Sequence, residues 1–567
     1  MELISHDILV IGGGLAGLRA AIEAKKAGRD VAILSKVHPL RSHSVAAQGG
    51  VNAPLGNVPA HVKDSWENHA FDTIKGSDYL ADQDAVEILC QESIDRVIEM
   101  EHWGTLFSRM EDGKIAQRPF GGSGFPRTCY AADRTGHNLL HVLYEQVTGL
   151  RIPVYEEWYA LSLIVDEGRC IGIFGFHFFE GKIIPIHAKA VLLATGGYGR
   201  IYLRSTNAVI NTGSGCYLAY QAGVPLEDME FVQFHPTSLY GTNILITEAA
   251  RGEGGYLFNA KGERFMERYA PNLLELGPRD IVARGIQTEI DQGYGFEGGY
   301  VYLDLRHLGK EKIMDRLPGI RQIAIDFAGV DPILEPIPVQ PAQHYSMGGI
   351  ATNLDGETSL PGLFAAGECA CVSVHGANRL GGNSLLETLV FGVRAGRKAT
   401  QKAEKEKQSF DKGIFQKRWE EFQSDLEEVF ERKEEEPCFR LRDEMRALMT
   451  SQAGIFRKES DLRTAKERVK ELKERLKKVG IKQKSLAFNH ELVKFLELEG
   501  MLQLAEVIVE GAFGRKESRG SHFRLDYPDR DDKHWLRHTL AFKTVDGPRL
   551  EYKDVTITKF PPGKRTY

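Results

Sequence analysis

The feature that most constrains this chain is a glycine-rich turn near its N-terminus. A short apolar run, Ile8 to Ile11, leads into Gly12-x-Gly14-x-x-Gly17, which opens an alanine-rich helical pattern that continues to Ala27. A second strand-like run, Val31 to Leu34, follows after a short connection. This alternation predicts a strand–helix–strand unit with parallel strands and a crossover helix.

The spacing of these glycines suits the pyrophosphate of a dinucleotide. The first permits a tight turn, the second lets the backbone approach the phosphates, and the third lets the helix pack closely on the strand. A plain NAD site would place an acidic residue at the end of the second strand, to hold the ribose. This chain has Ser35 and Lys36 there, which disfavours NAD and leaves FAD open. The residues predicted to contact the cofactor in this unit are Gly12, Gly13, Gly14, Leu15, Ala16, Gly17, Ser35 and Lys36.

Length, charge and cysteine content narrow the class of protein. At 567 residues we expect several domains, and a net charge of −6 gives no reason to propose nucleic acid as a partner. Seven cysteines are few and odd in number, which favours a reducing compartment over a disulfide framework. The N-terminus has no basic region before a long apolar core, so no signal peptide is predicted. No apolar run approaches the ~20 residues that span a bilayer.

The pattern of predicted secondary structure and composition changes along the chain. Between about His235 and Gln343 the strand–helix alternation fades, and it resumes near Gly349, which predicts an inserted domain. From about Lys398 to Glu517 the chain is charged and helical, and from Ser518 it is polar and aromatic. One helix face, predicted to stop before Gly480, carries Leu462, Ala465, Val469, Leu472, Leu476 and Val479.

Further along, His, Thr and Arg residues stand among glycines in several separate segments. These segments are Arg41 to Gly50, His235-Pro236-Thr237, Thr247 to Tyr256, Arg279-Asp280, His344-Tyr345, and His375 to Leu385. Arginine always carries its charge and binds a carboxylate through two hydrogen bonds, so such residues suit a small dianion. Taken singly, each arginine could equally be a surface ion pair and each histidine an ordinary core residue.

In order and spacing, these segments resemble the flavoprotein subunit of the succinate dehydrogenase and fumarate reductase family (complex II). The resemblance covers nearly the whole chain, including the tail from Ser518 to Asp532. It implies an α/β FAD-binding Rossmann-like domain with an inserted α+β capping domain, then a helical bundle domain and a small C-terminal lobe. The corresponding residues are 1–234 and 345–405 for the FAD-binding domain, 235–344 for the capping domain, 406–517 for the helical domain, and 518–567 for the C-terminal domain.

The resemblance also implies roles for single residues. FAD would be bound covalently through His43, and a succinate or fumarate molecule would be held by His235, Thr247, His344 and Arg379. Arg279 would accept or donate the proton, with Glu248 and Arg251 as its relay. The further cofactor contacts implied are Arg41, Ser42, Ser44, Gln48, Gly49, Gly50, Ser214, Glu368, Ser384 and Leu385. No metal ligands are predicted.

Three positions bear on how closely the chain follows its family. Many relatives have Asp at the position of Ser214 and Cys at that of Ala250, so a carboxylate contact and a reactive thiol are not expected here. Gln48 is typical of the succinate dehydrogenases, whereas some fumarate reductases have Glu, and this favours succinate oxidation. Cys369 and Cys371 are predicted to be core residues.

The chain has no cysteine clusters of the iron–sulfur type. The family therefore implies an iron–sulfur subunit docked near the flavin and membrane anchor subunits with a quinone site. This would place the chain peripherally on the cytoplasmic face of the cell membrane.

Other functions remain open from the sequence. A quinol-fumarate reductase flavoprotein is the nearest alternative. L-aspartate oxidase shares the FAD and capping motifs but lacks the flavin-linking histidine, and His43 argues against it. A non-catalytic flavin-binding subunit would not need Arg279, Glu248 and Arg251.

Overall fold

Strands lie mainly in the first two-thirds of the chain and in its last thirty residues. The computed structural model describes residues 2–406, 412–433 and 436–566. The strands are β1 Ile4–Ile11, β2 Val31–Ser35, β3 Val51–Asn52, β4 Gln117–Arg118, β5 Thr128–Cys129, β6 Val154–Glu156, β7 Trp158–Asp166, β8 Arg169–His177, β9 Lys182–Leu193, β10 Leu226–Glu227, β11 Val232–Leu239, β12 Tyr256–Phe258, β13 Val301–Asp304, β14 Ile337–Ser346, β15 Gly349–Ala351, β16 Leu363–Ala365, β17 Ala370–Cys371, β18 Phe456–Arg457, β19 Phe523–Arg524, β20 Arg537–Thr544 and β21 Gly547–Asp554.

Helices separate these strands and fill the region after residue 382. They are α1 Leu15–Lys26, α2 Trp66–Gly76, α3 Gln83–His102, α4 Thr135–Gly149, α5 Ser214–Gln221, α6 Glu248–Gly252, α7 Met266–Tyr269, α8 Arg279–Asp291, α9 Gly309–Arg316, α10 Pro318–Ala328, α11 Asn383–Lys405, α12 Lys412–Glu431, α13 Cys438–Gln452, α14 Glu459–Leu476, α15 His490–Gly514 and α16 Asp532–Trp535. Single 3₁₀ turns lie at Pro39–Arg41, His43–Ala46, Pro59–His61, Gly199–Ile201, Leu274–Leu276, Arg306–Leu308 and Gly367–Cys369.

A seven-stranded sheet forms the centre of the first region. Its order is β6-β2-β1-β9-β8-β7, and β16 also pairs with β9. β1 pairs in parallel with β2 and β9, which confirms the predicted strand–helix–strand unit. Successive side chains of β1 enter different cores, since Leu9 and Ile11 lie in one buried cluster and Ile8 and Val10 in the other. Such a strand is covered on both faces, as expected for a parallel sheet.

The inserted region has a sheet and a core of its own. β11, β14, β13 and β12 form an antiparallel four-stranded sheet in that order. A third buried cluster, which includes Leu257, Val282, Leu303 and Val339, fills the space between this sheet and its helices. The inserted domain therefore begins and ends on the paired strands β11 and β14, which place His235 opposite Ala342.

The helical region packs onto the first domain through α15. Its helix α14 buries the predicted face and ends at Leu476, before the expected stop at Gly480. Val479 is nevertheless 1% exposed, because the turn after α14 directs it into the same core. No helix in the described ranges is both long and apolar enough to cross a bilayer.

The last strands pair with strands of the first region. β20 pairs antiparallel with β10 and with β21, extending a sheet that runs β17-β15-β10-β20-β21. The C-terminal residues are thus joined to the first region by main-chain hydrogen bonds.

Candidate active site

A cavity of about 810 Å³ opens where the parallel strands β2, β1, β9 and β16 reach their carboxyl ends. It continues to the inserted domain, so two domains supply its walls, as is common for enzyme sites. The predicted residues that line it are Gly12, Gly13, Gly14, Leu15, Ala16, Ser35, Lys36, Arg41, Ser42, His43, Ser44, Gln48, Gly49, Gly50, Ser214, His235, Thr247, Glu248, Arg279, His344, Glu368, Arg379, Ser384 and Leu385. Gly17 and Arg251 lie behind this lining.

The glycine turn has the geometry of a phosphate cradle. Gly12 has φ +120°, and a Cβ there would collide with the carbonyl oxygen of Ala194. A Cβ on Gly17 would collide with the carbonyl oxygen of Gly12, so helix and strand pack as the spacing predicts. Gly14 caps α1 without a side-chain hydrogen bond. The first turn of α1 therefore keeps N–H groups for an anion.

Several buried polar atoms along this wall have no hydrogen-bond partner. They are Ser42 Oγ, Gln48 Oε1, Thr195 Oγ1 and Asn211 Nδ2, and all four residues line the cavity. An unsatisfied buried polar atom costs about 1–3 kcal/mol. The cavity is thus built for a large polar ligand, and its residues fit FAD.

Lys36 directly follows β2, at the position where a plain NAD site would have an acidic residue to hold the ribose. Its ammonium forms an ion pair with Glu497 of α15, whose side chain is 3% exposed. Burial, with the charge of Lys494, lowers the pKa of Lys36 to about 7. The helical region is thereby attached to this edge of the cavity.

His43 is held by the segment that follows the turn Gly199–Ile201. The backbone N–H of Ala208 donates to Nδ1 at 3.2 Å, and the Asn207 amide lies 3.3 Å from Nε2. Burial lowers the pKa of His43 to about 4, so the ring is neutral near neutral pH. Because Nδ1 accepts a hydrogen bond, Nε2 is the ring nitrogen left to carry a substituent.

Arg279 and Glu248 form a close ion pair in the cavity wall. Arg279, the first residue of α8, donates from Nε to Glu248 Oε2 at 2.6 Å, and Gly121 N donates to Oε1 at 2.5 Å. Arg251 lies one turn after Glu248 on α6, with Nη2 at 4.0 Å from Oε2. Although burial alone would raise it, Arg279 and Arg251 hold the pKa of Glu248 below its ordinary value. The carboxylate therefore stays ionised between two guanidinium groups.

Arg379 is a buried cation without a carboxylate partner among the described residues. It is 2% exposed, and it donates to Leu380 O at 3.2 Å and to Gln233 Oε1 at 3.1 Å. Its guanidinium also stacks on Tyr345, 4.4 Å from the ring centre. Burial and the nearby charge of Arg279 lower the pKa of Arg379 to about 9. An anionic ligand would relieve both effects.

The two predicted histidines face each other across the same space. The ring centres of His235 and His344 are 4.9 Å apart with their planes inclined at 61°, and Thr206 Oγ lies 2.8 Å from His344 Nδ1. Burial and the neighbouring arginines lower the pKa of both rings, which keeps them neutral. Thr247 caps α6 by accepting from Ala249 N, so its hydroxyl is fixed at the cavity wall.

Two further predicted contacts, Ser214 and Glu368, also line the cavity. Ser214 begins α5 after Gly213. Burial raises the pKa of Glu368 to about 7, although Ser346 N donates to its carboxylate at 3.0 Å.

Gln233 is a site residue that sequence reasoning missed. Its Oε1 accepts from Arg279 Nη1 at 3.0 Å and from Arg379 at 3.1 Å, so one amide joins both cations. It lies on β11 two residues before His235, and residues two apart on a strand share a face. That period was the signal that could have found it. No such strand pattern pointed to Ala208, whose N–H binds His43, or to Tyr345, whose ring contacts Arg379.

The chain matches known proteins over its whole length. A family model described as FAD binding domain matches residues 7–385, and one described as fumarate reductase flavoprotein C-term matches residues 442–567. A fumarate reductase flavoprotein subunit of Mycobacterium tuberculosis is 47% identical, over 99% of each chain. A succinate dehydrogenase flavoprotein subunit of Rickettsia bellii is 46% identical, over 100% of this chain and 99% of its own.

A comparison with solved structures leads to the same family. A quinol fumarate reductase chain of E. coli superposes with a TM-score of 0.96 at 42% identity, covering 100% of this chain and 99% of that one. The resemblance inferred from the sequence is confirmed, as are the fold class and the FAD-binding function. The chain belongs to the succinate dehydrogenase and fumarate reductase flavoprotein family and is an FAD-binding oxidoreductase of the complex II type.

Proposed function

We propose that this chain interconverts succinate and fumarate, with Arg279 as the proton acceptor and donor. The observation that carries the proposal is the charge of the site. Arg279 and Arg379 line the cavity, Arg251 lies behind its wall, and Glu248 is the carboxylate next to Arg279 and Arg251. These four side chains together carry an excess of two positive charges. A dicarboxylate carries two negative charges and would neutralise this excess.

Arg379, His235, His344 and Thr247 hold the two carboxylates in this proposal. Arg379 offers a guanidinium with no competing acid, and neutral imidazoles and a hydroxyl donate hydrogen bonds without adding charge. Clamping both ends of the substrate fixes its central carbons relative to Arg279, which removes an entropic part of the barrier.

The proton moves along a short charged path. A free guanidinium does not release its proton near neutral pH. Arg279 can transfer one only if its loss is compensated at once, and Glu248 lies 2.6 Å from its Nε. Arg251 sits behind Glu248 and keeps that carboxylate ionised. Glu248 and Arg251 therefore relay the proton to and from Arg279.

When bound, FAD would supply the two-electron chemistry at one central carbon of the substrate, and Arg279 would accept or donate the proton at the other. We propose that it is attached through His43 Nε2, since Nδ1 accepts from Ala208 and the ring is neutral. The predicted contacts from Gly12 to Gly17 would hold the pyrophosphate. Ser35, Lys36, Ser214, Glu368, Ser384 and Leu385 would surround the rest of the cofactor.

For the physiological direction we propose succinate oxidation. Gln48, typical of the succinate dehydrogenases, lines the cavity, and its Oε1 has no hydrogen-bond partner in the described part of the chain. Fumarate reduction is the second candidate, because the M. tuberculosis relative and the E. coli structure carry that name.

Electrons must leave the flavin through other chains. We propose an iron–sulfur subunit docked near the flavin and membrane anchor subunits with a quinone site. Quinol fumarate reductase complexes are solved relatives of this chain, one of them with menaquinol molecules. The chain would then lie peripherally on the cytoplasmic face of the membrane.

The test is a pair of assays on the FAD-loaded chain. Succinate should reduce an artificial dye, reduced viologen should be oxidised by fumarate, and malonate should inhibit both by competition. Turnover with L-aspartate but not with succinate would overturn the proposal in favour of L-aspartate oxidase. The direction is tested in the assembled complex, by comparing both rates with ubiquinone and with menaquinone.

A further inference from the structure

The end of the chain returns to the first domain and is fixed there. Thr556 N donates to Asp82 Oδ1 at 2.7 Å. Gln83 Oε1 accepts from the backbone N–H of Thr558 and of Phe560, each at 3.0 Å, and Gln83 Nε2 donates to Phe560 O at 2.6 Å. These hydrogen bonds attach residues 556–560 to the start of α3, so the path of the chain beyond them is defined.

Beyond that anchor, Arg565 reaches the start of α8. Its guanidinium donates to both oxygens of Asp280, at 2.7 and 2.9 Å, and to the carbonyl of Gly76 at 3.2 Å. The side chain of Asp280 is fully buried and that of Arg565 is 9% exposed. Asp78 lies 3.7 Å away and adds a second negative charge. A bidentate pair of this kind fixes orientation as well as distance.

Asp280 directly follows Arg279 in the first turn of α8. The Asp280 carboxylate faces Arg565, whereas the Arg279 guanidinium faces Glu248 and Gln233. Arg565 therefore holds the backbone from which the proton-transferring side chain extends.

A second connection, made of hydrogen bonds between side chains and one carbonyl, links Arg565 to the guanidinium of Arg279. The Gly76 carbonyl, which accepts from Arg565, also accepts from Asn378 Nδ2 at 3.1 Å. Asn378 Oδ1 accepts from Gln233 Nε2 at 2.9 Å, and Gln233 Oε1 accepts from Arg279 at 3.0 Å. Arg565 is thus connected to Arg279 through its main chain and through a line of buried amides.

We propose that Arg565 is a positioning residue for Arg279, holding the start of α8 against α2. The inference rests on the proposed function, in which Arg279 must meet one carbon of the substrate. Arg565 does not line the cavity, so it is placed to act through Arg279. Its effect is on placement, and a misplacement of about 1 Å at a reacting group can cost roughly 100-fold in rate.

The test compares Arg565→Gln with Arg565→Lys. In the glutamine variant kcat per bound flavin should fall roughly 10- to 100-fold, while the inhibition constant of malonate stays within about twofold. With deuterated succinate, the isotope effect on kcat should rise, because the carbon–hydrogen step becomes slower. Lysine should recover part of kcat, since it keeps the charge but cannot bind both oxygens of Asp280 in the plane of a guanidinium.

Arg549→Gln is the matched control. Arg549 lies on β21, shortly before the tail that carries Arg565, its side chain is 62% exposed, and it pairs with Glu551 at 2.9 Å. The control should leave kcat unchanged. If Arg565→Gln merely lowers the yield of folded flavoprotein, with kcat per flavin and isotope effect as in the wild type, the inference is overturned.

A double variant and an exchange measurement complete the test. Adding Asp280→Asn to Arg565→Gln should lower kcat by clearly less than the two single losses combined, because both changes break the Arg565–Asp280 pair, although Asp280→Asn also weakens the contact with Arg284. Additive losses would overturn the inference. Hydrogen exchange across Arg279–Asp291 should be faster in Arg565→Gln than in Arg549→Gln, and equal exchange would also overturn it. A wild-type chain without succinate–fumarate turnover would refute the proposed function and leave the exchange result standing on its own.

Discussion

Arg279 Nε lies 2.6 Å from Glu248 Oε2, and both side chains are buried at the wall of the cavity. The two residues are 31 positions apart and come from different helices, α6 and α8. Their contact joins a guanidinium, which is protonated at rest, to a carboxylate held ionised by two arginines. This arrangement lets a proton lost at one end be replaced from the other.

Arg279→Gln should reduce turnover in both directions by more than about 1000-fold, since proton transfer of this kind contributes 10²–10⁴-fold. The variant should still bind FAD and malonate, because Arg379 and the two histidines remain. Stopped-flow reduction of the flavin by succinate, alongside malonate titration, measures both properties. Turnover close to the wild type would remove Arg279 from the mechanism.

Gln233→Leu should lower kcat/KM by roughly 10- to 100-fold. The amide oxygen accepts hydrogen bonds from Arg279 and Arg379, and a bond to a charged donor is worth about 1.5–3 kcal/mol. Leucine is of similar size but leaves both guanidiniums without that acceptor. Gln287→Leu is the control, since Gln287 also lies on α8 but its amide donates to the exposed side chain of Asp291 at 2.7 Å. Unchanged kcat/KM in Gln233→Leu would show that the two cations hold their places without the amide.

His43→Ser should release all flavin when the protein is denatured in acid, whereas the wild type should retain it on the chain. The variant should still bind FAD without a covalent bond, because the glycine cradle and the unpaired polar atoms are unaffected. In-gel flavin fluorescence after denaturation measures the link. Complete release from the wild type would disprove attachment through His43.

The sequence predicted most of the cavity because its residues lie in local motifs. The glycine turn fixes its own geometry, and the family segments carry His235, Arg279 and Arg379 at recognisable spacing. What it could not predict are contacts between distant segments. Asp280 and Arg565 are 285 positions apart, and their approach depends on the path of the tail over α3.

Thiol reagents should not inactivate the dicarboxylate site. Ala250 stands where many relatives have a cysteine, and none of the seven cysteines, all within the described residues, lines the cavity. Burial raises the pKa of Cys369 and Cys438 to about 11, so little thiolate is present near neutral pH. Treatment with N-ethylmaleimide at pH 7.5 should leave succinate–dye activity within about twofold of the untreated sample. Rapid loss that malonate prevents would contradict this expectation.

A buried charge cluster under the C-terminal hairpin should make stability depend on pH. His538 Nδ1 lies 2.7 Å from Asp228 and Nε2 lies 3.2 Å from Asp82, while Lys553 lies 3.4 Å from Glu227. Burial alone would lower the pKa of His538, but Asp228 and Asp82 raise it to about 10, so the ring stays charged. Three carboxylates thus face two cations, and burial together with the charge of Asp228 raises the pKa of Glu227 to about 7.

The direction in which stability changes with pH follows from the protons that Glu227 binds in the folded and unfolded chain. The folded chain holds a proton on Glu227 up to about pH 7, whereas the unfolded chain releases it near its ordinary value of 4.5. Stability from this group is therefore full below pH 4.5 and declines as the pH rises toward 7. Glu227→Gln removes this decline. At pH 8 the free energy of unfolding of the variant should therefore exceed that of the wild type by about 1–3 kcal/mol, and its melting temperature should be higher; both differences should shrink toward pH 5. Glu551→Gln, an exposed change in the same hairpin, should show no such trend. A Glu227→Gln variant that is less stable than the wild type at pH 8 would mean that Glu227 is ionised and paired in the folded chain.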